Sequence, residues 1–440
     1  MLENQIKEIS KIFIEKTKGK EIFIVSHFDT DGITSATIMI QALKKIDKKF
    51  SLKIIKSLEQ SFIKQLPKDK PILFLDLASN SISNIIDADL KDVFIIDHHE
   101  INQEIPESIK IINPQLNGKS KISASGLTYL FCKQIDESNK DFAKLAILGM
   151  IGDRLDSEIG KLNHGILDDG EIKRRRGLLI YPATRPLNRT LEYCSNPLIP
   201  GVTGETAGVF ELLRNINITP KNGNYPSLLE LTDEEMEKLV TEITLRLPKQ
   251  EHQNLIGDIF LIKMFNKLED ARELSAMINA CSRLGHPEIA IQLCMEIPSS
   301  KKKSEIIHAK YKQHIIAGLK FVNETNEKIQ GNGFVIINAK DQIKETIVGT
   351  IASIISSSSI YEEGTVVTTM AHYDDKIKIS LRNVGRNGRN LHELITRIME
   401  TFDGEVGGHS QAAGAIISQE QEKEFINSLK KSLEVEVVRV

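Results

Sequence analysis

Short apolar runs, each cut off by polar or turn-forming residues, set the pattern of the first third of the chain. Ile22–Val25, Leu52–Ile55, Ile72–Leu75, Val93–Ile96 and Ile109–Ile112 are too short for helices and rich in β-branched residues, so they read as strands. Between them the apolar positions fall at helical spacing, as at Ile33, Ala36, Ile40 and Leu43. Strands alternating with helices predict an α/β domain built on a parallel sheet covered on both faces. Residues 1–20, with Ile6, Ile9, Ile12 and Phe13 on one side, predict an amphipathic helix packed at that domain's edge.

Beyond residue 156 the pattern becomes irregular, and from about 228 helical spacing dominates. Leu228–Leu247, with acidic residues in its first turns, Leu255–Phe265, Ala271–Leu284, Glu288–Met295 and Ser304–Asn326 all read as helices. A second alternation starts near Gly331: strands at Phe334–Ile337, Thr365–Met370 and Lys376–Leu381, helices at Ile347–Ile355 and Leu391–Phe402. The expected organisation is an α/β domain over 1–225, a helical insertion or linker over 226–330, and a smaller α/β domain over 331–440.

Composition narrows this picture. A chain of 440 residues, 40% hydrophobic and 27% charged, is that of a globular protein too long for one ordinary domain. No apolar run reaches bilayer-spanning length and the N-terminus lacks a basic region followed by an apolar one, so a cytoplasmic protein without membrane attachment is expected. Cys132, Cys194, Cys281 and Cys294 are scattered without a metal-binding spacing, which predicts buried free thiols. A net charge of −3 gives no global attraction to nucleic acid, so any polyanion must be held by local basic patches and bound cations. The lack of tryptophan argues against an extensive base-stacking platform.

The chemistry gathers where the apolar runs stop. Val25 is followed by His27, Asp29 and Asp31 at alternate positions, which would place all three side chains on one side of an extended segment, before Gly32 lets the backbone turn. Leu75 is followed by Asp76, Ile96 by Asp97-His98-His99, and a predicted helix ending near Ile151 by Gly152-Asp153. Carboxylates this dense repel one another unless a cation lies between them. An isolated Asp-rich turn would be only a solvated loop, but recurrence at several strand ends predicts convergence, because ligands gather at the carboxyl ends of parallel strands.

In order and spacing, His27-x-Asp29-x-Asp31-Gly32, Asp76, Asp97-His98-His99 and Gly152-Asp153 resemble the motifs of the DHH phosphoesterase superfamily. Residues 185–204, 271–295 and 407–415 extend the resemblance to archaeal RecJ-like exonucleases, including the GINS-associated nuclease, over nearly the whole chain. Bacterial RecJ carries a third alternating aspartate where His27 stands here, and a histidine at that position resembles the archaeal branch. The resemblance implies a two-metal phosphodiesterase with a helical insertion and a DHH-associated C-terminal domain. His27 and Asp29 would hold one ion, Asp31, His98 and Asp153 the other, and Asp76 would bridge. Asp97 would orient a neighbouring imidazole, and His99 would face the scissile phosphate. Ser380, Arg382, Gly407, Gly408 and His409 match the substrate-contacting elements of the C-terminal domain. A mixed shell of carboxylate and imidazole favours two Mn²⁺ ions, with Mg²⁺ as the alternative.

Two local features stay open on sequence alone. Lys173-Arg174-Arg175-Arg176, followed by Arg185 and Arg189, is either a solvated face or a track for a nucleic-acid backbone. Ser123-Ala124-Ser125-Gly126 begins a helix whose N-terminus either aims at the phosphate region or is simply capped. The leading expectation is a metal-dependent exonuclease on single-stranded DNA or RNA, acting in DNA replication or repair, with the GINS complex as an implied partner. The alternatives are a phosphoesterase of oligoribonucleotides or small nucleotides, and a GINS-binding scaffold with secondary nuclease activity.

Overall fold

The computed structural model describes residues 2–434 apart from 119, 158, 195–196, 248–251, 253–254 and 359. The chain divides into two compact units, one formed by residues 1–186, 226–231 and 256–308, the other by 187–225, 232–255 and 309–440.

The first unit is built on a parallel sheet of β1 (Ile22–His27), β2 (Phe50–Ile55), β3 (Ile72–Leu75), β4 (Val93–Ile96) and β5 (Ile109–Ile112), in the order β2-β1-β3-β4-β5. The two faces of the sheet bury alternate residues. Val25, Phe74 and Ile95 pack toward the helix Ile82–Asp87. Ile24, Leu73, Leu75, Phe94 and Ile96 join a larger core with the helices Thr30–Lys45, Ala124–Ile135 and Ala143–Gly152. Burial on both faces explains why β3 and β4 are uninterrupted apolar tetrads rather than alternating strands. The N-terminal helix Leu2–Lys16 buries Ile6, Ile9 and Phe13 in that larger core, beside the edge strand β5. Because β1 pairs with β2 on one side and β3 on the other, the strand order reverses at β1, and the carboxyl ends of β1 and β3 form the switch point where ligands gather in such sheets.

A second sheet in this unit departs from the sequence reading. Leu255–Phe265 was expected to be helical, but Ile256–Met264 forms strand β7, between β6 (Lys173–Leu178) and β8 (Lys267–Asp270) in an antiparallel sheet. Phe265 and Asn266 both take positive φ, 51° and 58°, the conformation of a tight two-residue hairpin turn that joins β7 to β8. A helix cannot accommodate that turn, and the run Ile259-Phe260-Leu261-Ile262 is buried throughout, so it shows no helical periodicity. The basic stretch from Lys173, read as irregular, is strand β6.

The second unit carries a six-stranded sheet of β9 (Ile329–Gly331), β10 (Phe334–Asn338), β11 (Val366–Tyr373), β12 (Lys376–Asn383), β13 (Gly404–His409) and β14 (Ala412–Ser418), in the order β13-β14-β12-β11-β10-β9. The helices Leu391–Met399 and Glu422–Glu434 bury Ile395, Phe425 and Leu429 against one face. The four cysteines are buried thiols, as their scattered spacing predicts. Among the described residues no helix is long and apolar enough to cross a membrane.

Candidate metal centre

His27 is the last residue of β1, and the extended alternation expected of the first motif ends there. Asp29 caps the helix Thr30–Lys45, accepting the Gly32 amide at 3.1 Å, while Asp31 lies in that helix's first turn. The three side chains therefore meet around a strand-to-helix turn, not along a strand. Gly32 is required by close approach: a Cβ there would stand 2.3 Å from the His27 carbonyl oxygen.

Asp76 follows β3 with φ at 59°, and Ala78 takes φ at 86°, a left-handed conformation costly for a residue with a Cβ. This turn brings Asp76 beside the end of β1, with His27 Nδ1 3.3 Å from Asp76 Oδ2 and 3.0 Å from Asp29 Oδ2. On the other side of Asp76, His98 Nε2 lies 3.5 Å from its Oδ1 and 3.4 Å from Asp153 Oδ2. Donor atoms of His27, Asp29 and Asp76 all lie within 4.8 Å of one another, and so do those of Asp31, His98 and Asp153. A third overlapping group joins Asp76, Asp97, His98 and His99.

Asp97 differs from the others because its oxygens are already engaged. Oδ1 accepts the His98 amide at 2.7 Å and the His99 ring Nδ1 at 2.7 Å, and Oδ2 accepts the Ser79 amide at 3.0 Å. Burial opposes its charge, but His99 and the Ser79 hydrogen bond outweigh burial and hold the carboxyl below the usual range. Asn113, at the end of β5 and invisible as a site residue in the sequence, ties the same loop by donating to Ser79 Oγ and the His99 carbonyl.

The helix N-terminus at Ser123 is turned on a protein carboxylate. The amides of Ala124 and Ser125 donate to Asp31 at 2.7 and 2.9 Å, while Ser123 caps the helix through the Gly126 amide. Gly149 is a second residue that sequence reasoning missed. A Cβ on it would stand 2.4 Å from Asp31 Oδ1 and 2.0 Å from Ser125 Oγ, so only glycine lets the helix Ala143–Gly152 pass this close.

The electrostatics are those of a cation site. Burial first, then the carboxylates of Asp29 and Asp31, push Asp76 up to about 6; the same causes, with Asp76 added, raise Asp153 well above the carboxylate range. Burial disfavours a charged His98, yet Asp76 and its neighbouring carboxylates raise it to about 9, and His27 is raised likewise, chiefly by Asp29. His27 Nδ1, both oxygens of Asp76 and Asp153 Oδ2 are buried without a hydrogen-bond partner. Buried polar atoms are ordinarily paired, and these four belong to the two donor groups around Asp76 and His98, so the donor set fits divalent cations.

Three stretches match family descriptions: residues 21–150 the DHH family, N-terminal domain, 332–434 the DHHA1 domain, and 181–255 the DHH-CID domain. The chain belongs to the DHH superfamily. It is 28% identical over 445 aligned residues to the uncharacterized protein MJ0831 of Methanocaldococcus jannaschii, covering 96% of both chains. It is 30% identical over 169 residues to a Bacillus subtilis prophage protein whose proposed name is single-strand DNA-specific exonuclease YorK, over 35% of this chain and 29% of the other. The DHH fold here also matches exonuclease RecJ bound to manganese, with TM-score 0.61, 15% identity and coverage of 98% and 95%. CDC45 from Entamoeba histolytica matches with TM-score 0.72, 12% identity and coverage of 98% and 99%. At these identities the structural likenesses show a shared, RecJ-like fold.

The remaining sequence-predicted residues lie in the second unit. Ser380 and Arg382 stand on β12, where Arg382 Nε donates to Ser353 Oγ at 3.0 Å. Gly349 lies beside them, with a notional Cβ 3.1 Å from Ser380 Oγ and 3.6 Å from Arg382 Nη2. Gly407, Gly408 and His409 end the exposed edge strand β13. Gly408 has φ at 126°, which demands glycine, whereas Gly407 has an ordinary φ and open space around its Cβ position.

Proposed function

We propose that this protein hydrolyses phosphodiester bonds in single-stranded DNA or RNA, acting from strand ends, with two divalent ions, Mn²⁺ by preference and Mg²⁺ as substitute. The observation that carries the reading is the set of buried, unpartnered donor atoms on His27, Asp76 and Asp153. His27, Asp29 and Asp76 would hold one ion, and Asp31, His98 and Asp153 the other, with Asp76 shared. Bound there, the ions would activate water and neutralise charge on the phosphate oxygens.

The protein's own groups do the rest. Asp97 keeps the His99 ring oriented through Nδ1, leaving its Nε2 for a phosphate oxygen. The amides of Ala124 and Ser125 hold the Asp31 carboxylate in place as a ligand. In the C-terminal domain Arg382, held by its Nε on Ser353 Oγ and its Nη1 on the Leu381 carbonyl, would supply a fixed positive charge and Ser380 a hydroxyl, while Gly407 and Gly408 let a phosphodiester approach the backbone and His409 donates to it. Gly407 supports this role because nothing within the fold requires a glycine there.

Retention of the whole acid and imidazole set favours an enzyme over a scaffold, although association with the GINS complex is compatible with both. Incubating the protein and its Asp76→Ala variant with end-labelled single strands and with dinucleotides, in Mn²⁺ and in Mg²⁺, tests the reading. Metal-dependent shortening of the longer strands, lost in the variant, is expected; undiminished cleavage by Asp76→Ala would refute it. Preference for dinucleotides would favour the small-substrate alternative, and recovery of GINS subunits on the immobilised protein tests the partner.

A further inference from the structure

Strand β6 places four cations, Lys173, Arg174, Arg175 and Arg176, on consecutive residues at the edge of a three-stranded sheet. Strand geometry sends Arg174 and Arg176 to one face and Lys173 and Arg175 to the other. Arg175 is committed, since its Nη1 donates to the Leu229 carbonyl and ties the strand to the segment beside it. Lys173, Arg174 and Arg176 are exposed, and among the described residues none has an acidic partner. Asp258 sits directly across the ladder from Arg176 without pairing to it.

We infer that the β6 edge is a binding site for the phosphate backbone of a single strand, separate from the metal centre and from the C-terminal phosphate contacts. This rests on the hydrolase reading and assigns it long strands as substrate. The spacing suits that ligand: at about 3.3 Å per residue, Arg174 and Arg176 stand about 7 Å apart, of the order of the separation between successive phosphates in an extended strand. Position suits it as well. Phe260, Ile262 and Met264 of β7 share one core with Ile147, Met150 and Ile151 of the helix that leads into Asp153. A backbone held on β6 is therefore held by the same packed body that carries the acids and imidazoles. Edge strands also carry charge, lysine above all, merely to prevent edge-to-edge pairing, but here three exposed cations fall within four residues and none has an acidic partner among the described residues. A uniformly positive edge in a chain of net charge −3 is selective for anions.

The test exploits that difference. In Arg174→Glu/Arg176→Glu the edge remains charged, so the full-length protein should fold, stay unaggregated and bind Mn²⁺ as before. Its affinity for a fluorescent oligo-dT of about 20 nucleotides, measured by anisotropy in chelator, should fall roughly ten- to thirtyfold at 0.1 M salt. The slope of log affinity against log salt should shrink by about 1.4, the release expected from two lost contacts to a single strand. Should the reversed pair fold poorly, Arg174→Gln/Arg176→Gln gives the same readout with smaller loss. Unchanged affinity and salt slope in either folded variant would overturn the inference. Binding is read without catalysis, so failure of cleavage in the parent protein would count against the hydrolase reading alone.

Discussion

The backbone amide of Ala124 donates to Asp31 Oδ2 at 2.7 Å, joining residues 93 positions apart. With the Ser125 amide on Oδ1, a helix N-terminus is spent on a protein carboxylate and not on substrate. Asp31 is thereby held by the fold itself, which would make it ready as a ligand in the proposed metal site. The arrangement depends on Gly149, which lets a third element close over the pair.

Gly149→Ala should consequently damage the metal centre from outside it. The added methyl would overlap Ser125 Oγ and Asp31 Oδ1, and overpacking of this kind typically costs about 1–3 kcal/mol. Calorimetry should show Mn²⁺ affinity reduced by roughly tenfold or more, within the range seen when a ligand's support is lost. A variant with lowered melting temperature but unaltered Mn²⁺ affinity would show that Gly149 serves packing only.

Asp76→Ala removes a buried carboxylate whose ionisation is opposed by burial and by Asp29 and Asp31. In chelator at pH 8 the variant should melt near the parent's temperature, because relief of repulsion with Asp29 and Asp31 is offset by the lost pairing with His27 and His98. In Mn²⁺ the parent should melt above the variant, since it gains stability from the bound ions and the variant does not. Thermal melts with and without metal distinguish this from simple misfolding.

The pH dependence follows from two raised groups. His98, carried up to about 9 against its burial by Asp76 and the adjoining carboxylates, stabilises the metal-free fold fully below its unfolded value of 6.5 and loses that contribution as pH rises through about 9. Asp76, raised from 3.8 to about 6 by burial and its acidic neighbours, penalises the metal-free fold increasingly as pH rises through that interval. Both signs agree: metal-free stability should fall as pH increases from about 4 to 9. Divalent cations must displace these protons, so Mn²⁺ affinity should rise over the same window. Titrations at pH 7 in buffers of different ionisation enthalpy should count at least about one proton released per protein; zero would remove the imidazoles from the site.

Arg382→Lys tests the C-terminal contacts. A lysine keeps the charge but loses the fork and the donation from Nε to Ser353. KM for a single-stranded substrate should rise roughly tenfold, the cost of about 1.4 kcal/mol of uniform binding, with kcat and Mn²⁺ affinity little changed. A fall in kcat at constant KM would place Arg382 in the chemical step instead.

Much of the parallel sheet was legible in the chain because it is a local signal. A four-residue apolar run such as Ile72–Leu75 or Val93–Ile96, ended by an acid, declares both a strand and its functional end without reference to anything distant. The same holds for His27, Asp29 and Asp31, whose clustering was visible even though their presentation, through a helix cap and a first turn, was not. Ile256–Met264 was misread because its register depends on pairing with Lys173–Leu178, a partner far back in the chain that no periodicity names. Asn113 and Gly149 were invisible for a related reason: a buried amide and a glycine acquire meaning only from what packs against them. Sequence by itself thus determined which residues could supply ligands at the strand ends, since charge, donor type and strand ends are written locally. Only the tertiary structure decided which of those acids are left unpartnered to take a cation and which, like Asp97, are already satisfied by the backbone, because hydrogen-bond satisfaction is set by neighbours that the fold brings in from elsewhere.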